Sequence, residues 1–190
     1  MAKPVRRRKI QNTSSIKQEV KNTVQPHSPL GGWISFDMAF VGLFRFVTVG
    51  NFTNKVKDEK DFKDKFSLFI KFMQDVKKKN FIRELINDKG MRHCHILDSD
   101  KTQEAQKYIT ESMKGLIPNA EDVWNQLFGG ETLFQLGRTK GLRIIGTFDE
   151  SKNVFHVLLF DWHHRLYPDE RRNTINIGNM EYVLFEEEQK

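Results

Sequence analysis

Residues 141–168 read GLRIIGTFDESKNVFHVLLFDWHHRLYP. Two apolar, β-favouring runs flank a polar turn. The first is Leu142-Arg143-Ile144-Ile145-Gly146-Thr147-Phe148, and the second is Val154-Phe155-His156-Val157-Leu158-Leu159-Phe160-Asp161. The polar stretch Asp149-Glu150-Ser151-Lys152-Asn153 joins them, which predicts a β-hairpin. Almost every position in both runs is apolar, so the hairpin is expected to be central in a sheet and covered on both faces. The second run leads directly into Trp162-His163-His164-Arg165-Leu166-Tyr167, a polar and aromatic cluster at a strand end, where sites are often built.

Upstream of the hairpin, residues 91–98 (MRHCHILD) predict a short strand. It would carry His93 and His95 on one face and Arg92, Cys94 and Ile96 on the other. Asp98, Ser99 and Asp100 are suitable N-caps for a helix over residues 102–116, with Tyr108, Ile109, Met113 and Leu116 as its apolar stripe. Pro118-Asn119 breaks that helix. A second helix is expected over 120–128 around Val123, Trp124 and Leu127, closed by Gly129-Gly130. Residues 132–136 predict a strand, followed by the basic turn Gly137-Arg138-Thr139-Lys140. From Met91 onward the expected order is therefore strand, helix, helix, strand, strand, strand.

The strongest helical signal lies earlier, over residues 60–78. Phe62, Phe66, Phe69, Met73 and Val76 recur at spacings of four and three, and Ile70 widens the stripe. Core packing is the reading of that stripe; a groove-binding face is the alternative. Residues 81–86 predict a short helix that stops at Asn87-Asp88-Lys89-Gly90. Residues 33–49 predict one strand, or two broken near Gly42, and 51–58 a polar loop. Residues 174–177 and 182–185 are expected to pair across Gly178-Asn179. Taken together, the chain is expected to be α+β, with a mostly antiparallel sheet and helices packed on one face. One domain is expected over 33–190, preceded by a disordered basic arm and linker over 1–32.

Charge separates the arm from the body. The net charge is +6, and residues 1–30 hold Lys3, Arg6, Arg7, Arg8, Lys9, Lys17 and Lys21 against Glu19 alone. Basic and acidic residues balance in the remainder. The tract Arg6-Arg7-Arg8-Lys9 can bind nucleic-acid phosphate or another acidic surface; a merely solubilising tail is the plainer reading. No apolar run approaches the ~18 residues of a membrane span. The basic amino terminus is followed by no apolar stretch, so it does not read as a secretory signal. A single cysteine, Cys94, excludes an internal disulfide framework and fits a cytoplasmic protein. Gly129-Gly130 and Gly137 lack the spacing of a phosphate-cradling loop, and no cofactor is expected.

The segment from Met91 resembles the RelE/ParE toxin superfamily, whose small domains have this element order. In its ribosome-dependent endoribonucleases, a Gly-x-Arg-aliphatic strand and a final strand ending in a His-Arg and Tyr element carry the site. Gly141-Leu142-Arg143-Ile144 is similar to the first, and His163-His164-Arg165-Leu166-Tyr167 to the second. The likeness covers residues 91–168. It implies RNA or the ribosome as substrate, an antitoxin-like protein partner, and catalytic roles for Arg143, His163, His164, Arg165 and Tyr167. The end of this stretch, Asp161 to Pro168, also resembles a carboxy-terminal pattern of small uncharacterised bacterial proteins.

Metal-independent RNA cleavage needs a base for the 2′-OH, a cation for the phosphorane and an acid for the leaving oxygen. His163 or His164 could move protons. Arg143, Arg138 or Arg165 could hold phosphate, and Tyr167 could stack on a base. In the plainer reading Trp162 and Leu166 are packing, Tyr167 caps the core, and the histidines are solvated. A different reading brings His93, His95, His156, Asp161 and His163 around a divalent ion, although their spacing matches no established zinc pattern. Antiparallel pairing would place Arg143 beside Asp161 and His163. The function expected is therefore that of an RNA-acting, toxin-like protein; the alternative is a non-catalytic nucleic-acid- or protein-binding protein with a basic arm.

Overall fold

The computed structural model describes residues 34–76, 82–87, 91, 93–137, 141–168 and 177–183. The arm expected over 1–32, with Arg6, Arg7, Arg8 and Lys9, lies outside the described residues, as do Arg138 and residues 174–176. The described strands are β1 (Ser35–Asp37), β2 (Thr48–Val49), β3 (Phe52–Thr53), β4 (His95–Ile96), β5 (Phe134–Gly137), β6 (Arg143–Asp149) and β7 (Val154–Asp161). The helices are α1 (Glu59–Val76), α2 (Ile82–Asn87), α3 (Ser99–Met113) and α4 (Ala120–Phe128). The order expected from Met91 is the order found. No helix among the described residues is long and apolar enough to cross a membrane.

The main sheet runs β1-β7-β6-β5-β4, so the hairpin is interior. All its pairings are antiparallel except β1 with β7, which is parallel. Side chains alternate across a strand, so neighbouring residues feed different layers. Ile144, Phe148, Phe155, Val157 and Phe160 join one apolar cluster with Phe69, Phe72 and Val76 of α1 and Leu85 of α2. Ile145, Leu158 and Leu159 join a second with Tyr108 and Ile109 of α3 and Trp124 of α4. The α+β class and the mostly antiparallel sheet are as expected. The helices divide between the two faces, where packing on one face was expected, because the hairpin offers apolar side chains to both.

A bulge opposite Ile145 and Gly146 reconciles the two layers. Gly146 pairs with Val157 and Ile145 with Leu159, so Leu158 is the extra residue. Leu158 and Leu159 consequently point into the same layer. Gly146 leaves room for this: a Cβ there would lie 2.0 Å from the His156 carbonyl oxygen.

Helix starts follow their caps. Asp58 accepts from the Asp61 N–H at 2.8 Å, and the Asp61 carboxylate reaches back to the Lys57 N–H at 3.1 Å. Asp98 accepts from the Lys101 N–H at 2.9 Å and starts α3. In α1 the buried residues are Phe69, Phe72 and Val76; Phe62, Phe66 and Met73 are half-buried, and Ile70 is exposed. Leu116, expected in the stripe of α3, lies beyond that helix and is exposed.

Three local expectations change. Only Ser35–Asp37 of the segment 33–49 joins the main sheet. Phe44 and Phe46 instead pack on Phe66 and Phe62 of α1, at 6.4 and 6.3 Å between ring centroids. Residues expected as a loop after Gly50 form β3, which pairs with β2 across Gly50 and Asn51. Tyr182, expected to pair across Gly178-Asn179, bridges to Val56, and Ile177–Asn179 is a single 3-10 turn; the remainder of the expected pair, 174–176 and 184–185, lies outside the described residues.

Candidate functional site

The turn after β7 is built by Asp161. Its fully buried carboxylate accepts from the Arg165 and Leu166 N–H groups at 2.8 and 2.9 Å. Leu166 is completely buried, and Trp162 stacks on Phe160 at 4.3 Å. His164 takes the left-handed conformation, φ 58°, which lets the chain reverse between these two anchors. Asp161 thus holds the shape of the turn that presents His164, Arg165 and Tyr167.

Arg143 stands directly across from Asp161, as antiparallel pairing predicts. It is only 2% exposed, and its Nη1 donates to the Leu142 carbonyl at 2.7 Å. Its side chain crosses Gly137, where a Cβ would meet Arg143 Cδ at 2.6 Å. Burial lowers the guanidinium pKa to about 10, with Asp161 opposing the shift, so the group stays charged at neutral pH. His163 is 3% exposed. Its Nε2–H donates to the Lys55 carbonyl at 2.6 Å, while Nδ1 is buried without a hydrogen-bond partner. Burial is the main cause holding its pKa below the ordinary histidine value. These two residues were given phosphate-binding and proton-transfer roles from the sequence. At this depth they serve the turn and the strand pair rather than a bound substrate.

The accessible chemistry lies one step outward. His164 Nδ1–H donates to the Tyr167 carbonyl at 2.6 Å, and its ring meets His93 edge-on at 6.3 Å. His95 lies edge-on to Tyr167 at 5.2 Å. The Ile96 carbonyl accepts from His95 Nδ1–H at 3.0 Å, and the Gln135 amide donates to His95 Nε2 at 3.0 Å. The Tyr167 hydroxyl donates to Asp98 at 3.1 Å, and Lys101 Nζ lies 5.5 Å from the phenol ring centroid. Burial, then the Asp98 bond, raise the Tyr167 pKa. Asp98 is shifted down, chiefly by the Lys101 N–H that it caps. His93, His95, His164, Arg165 and Tyr167 are all half-buried. Imidazoles, a phenol and the Lys101 ammonium therefore meet at one end of the sheet, beside the short edge strand β4.

Sequence reasoning found His164, Arg165 and Tyr167 but not Gln135, Asp98 or Lys101 as members of this cluster. Gln135 is 2% exposed and pairs with His95 in register, a cross-strand relation that local pattern does not carry. Asp98 was read only as a helix cap, which it also is. The metal reading is not supported. His156 bonds to Asp37 near the other end of β7, Asp161 is committed to the turn, and His163 to Lys55. Among the described residues no group of three or more His, Cys, Asp or Glu is placed to hold a metal ion. Cys94 is buried, with its thiol against the Gly137 carbonyl at 3.6 Å.

Residues 39–190 match a protein family described as Uncharacterised protein UU032. No curated protein and no solved structure matches the chain.

Proposed function

The chain therefore belongs to the UU032 family, and from its half-exposed histidine and tyrosine cluster we propose that it acts on RNA as a metal-independent, toxin-like endoribonuclease. The observation that carries this reading is the convergence of His93, His95, His164 and Tyr167 from the β4 segment and the turn after β7. Imidazoles titrate near neutrality, so a pair of them can take a proton from one oxygen and deliver one to another. In RNA the 2′-oxygen would attack the adjacent phosphorus, its proton passing to His164 or His93. The 5′-oxygen would leave with a proton, giving a 2′,3′-cyclic phosphate. Lys101, beside the Tyr167 ring, and Arg165, on the same turn as His164, would supply positive charge to the reacting phosphate, and the Tyr167 ring offers a face for a base. Arg143 and Asp161 are positioning residues in this scheme. An antitoxin-like protein would act by covering the cluster.

A second reading, a non-catalytic nucleic-acid- or protein-binding protein, is favoured by the charge of residues 1–30 and by His95, whose ring nitrogens are both engaged within the protein. Controlled expression in bacteria, with growth and translation followed over time, separates the two. The enzymatic reading expects growth arrest by the wild-type chain and relief in His164→Asn, which keeps a residue tolerant of positive φ. Unimpaired growth, with RNA bound but intact, supports the binding reading instead.

A further inference from the structure

The Asp98 carboxylate joins α3 to the turn after β7. One oxygen caps the helix, accepting from the Lys101 N–H at 2.9 Å, and the other accepts from the Tyr167 hydroxyl at 3.1 Å. Both oxygens are therefore held in place, yet Asp98 is exposed, and a carboxylate has about four acceptor sites in all. Acceptor capacity is thus left over on an oxygen pair fixed at the tip of a phenol ring. The capped Lys101 N–H also holds the group below the usual carboxylate range, so it is ionised at neutral pH.

The phenol ring is half-buried, with the His95 ring edge-on at 5.2 Å and Lys101 Nζ 5.5 Å from its centroid. Unpaired RNA bases stack on aromatic rings and are read along their Watson–Crick edges. A base laid over the exposed part of Tyr167 brings that edge past the phenol oxygen to the Asp98 carboxylate. The bases differ in what they offer there. Guanine presents adjacent N–H donors, N1–H and the N2 amino group. Adenine and cytosine place a ring-nitrogen acceptor beside their amino group, and uracil flanks its N–H with carbonyls. A carboxylate only accepts, so those acceptors repel it.

Resting on the RNA reading proposed above, we infer that Asp98 is a specificity-determining residue and that the cluster recognises an unpaired guanine. The Asp98 oxygens would take the N1–H and N2–H donors while the base stacks on Tyr167. Cleavage would then fall beside guanosine in single-stranded RNA. A base-paired guanine has both donors engaged and is not bound.

The test is an NMR titration of the full chain with 2′-O-methyl RNA trimers, uridine at both ends and guanosine, adenosine, cytidine, uridine or inosine at the centre. These trimers lack the attacking hydroxyl, so binding is read without cleavage. The guanosine trimer is expected to shift the amides of Asp98, Lys101 and Tyr167 saturably, with affinity at least about tenfold above the adenosine, cytidine or uridine trimer. Inosine, which lacks the N2 amino group, is expected to bind about threefold or more weaker than guanosine. Asp98→Asn keeps a helix cap but turns one acceptor into a donor, and its preference for guanosine should fall to within about threefold. Tyr167→Leu is expected to weaken every trimer. Cleavage is measured separately on the unmodified trimers. Guanosine-selective binding without cleavage upholds this assignment and removes the enzymatic reading; cleavage without base preference does the reverse. Equal affinities across the bases, no saturable shift at these residues, or a full guanosine preference in Asp98→Asn would each overturn the inference.

Discussion

The two faces of the β6–β7 hairpin are built from the same two strands and differ in kind. Toward α1 the facing side chains are apolar along the whole length: Ile144 and Phe148 on β6, and Phe155, Val157 and Phe160 on β7. Toward α3 and α4 only the middle is apolar, with Ile145, Leu158 and Leu159. Its ends are polar, Arg143 opposite Asp161 at one and Thr147 opposite His156 at the other. One face therefore holds the fold together, and the other carries a polar pair at each of its two ends. The difference is a division of labour within a single strand pair, carried by the alternation of side chains.

The largest expected effect lies on the apolar face. Phe69 and Phe160 are fully buried with ring centroids 5.0 Å apart. Replacing either with alanine is expected to cost about 3–5 kcal/mol by chemical denaturation. A loss no larger than that of an exposed residue would mean that α1 does not close the core. On the polar face, Asp161→Ala removes the acceptor of one buried and one half-buried N–H bond and the charge opposite Arg143. A cost of about 2–3 kcal/mol is expected, together with loosening of the turn that carries His164. Unchanged stability would mean that Asp161 does not organise the turn.

His163 sharpens the contrast through pH. Its folded pKa lies below the ordinary 6.5 because burial disfavours the charged ring. Above pH 6.5 its contribution to stability is fully present. As the pH falls below that value toward the lowered folded pKa, the unfolded chain takes up the proton first and stability drops. His163→Gln, which keeps a donor for the Lys55 carbonyl without titrating, should flatten that acid slope in melting experiments. An identical slope in the variant would place the titration elsewhere. The smallest effect is expected at Leu127, exposed on α4. Leu127→Ser should stay within about 0.5 kcal/mol of the wild type. A larger loss would mean that α4 leans on that side chain for packing.

Much of this was legible from local pattern. β7 and α4 begin and end where expected, because turn residues and Gly129-Gly130 punctuate them. The Arg143 and Asp161 pairing followed from hairpin geometry alone. Burial was harder to read: the sequence shows that His163 and Arg143 stand at strand ends, but not that Leu166 and Trp162 draw the turn inward over them. Non-local relations were hidden altogether. The parallel contact of β1 with β7 brings Asp37 to His156 across more than a hundred intervening residues. Gly50-Asn51 was a readable hairpin signal between two β-favouring pairs that the polar-loop reading passed over.

RNA cleavage by the purified chain in the presence of a metal chelator tests the proposed chemistry most directly. The expected result is cleavage leaving 2′,3′-cyclic phosphate ends, abolished in His164→Asn and reduced in Tyr167→Leu, with melting temperatures near that of the wild type. Intact RNA with the wild-type protein, or undiminished cleavage in a folded His164→Asn variant, would contradict it.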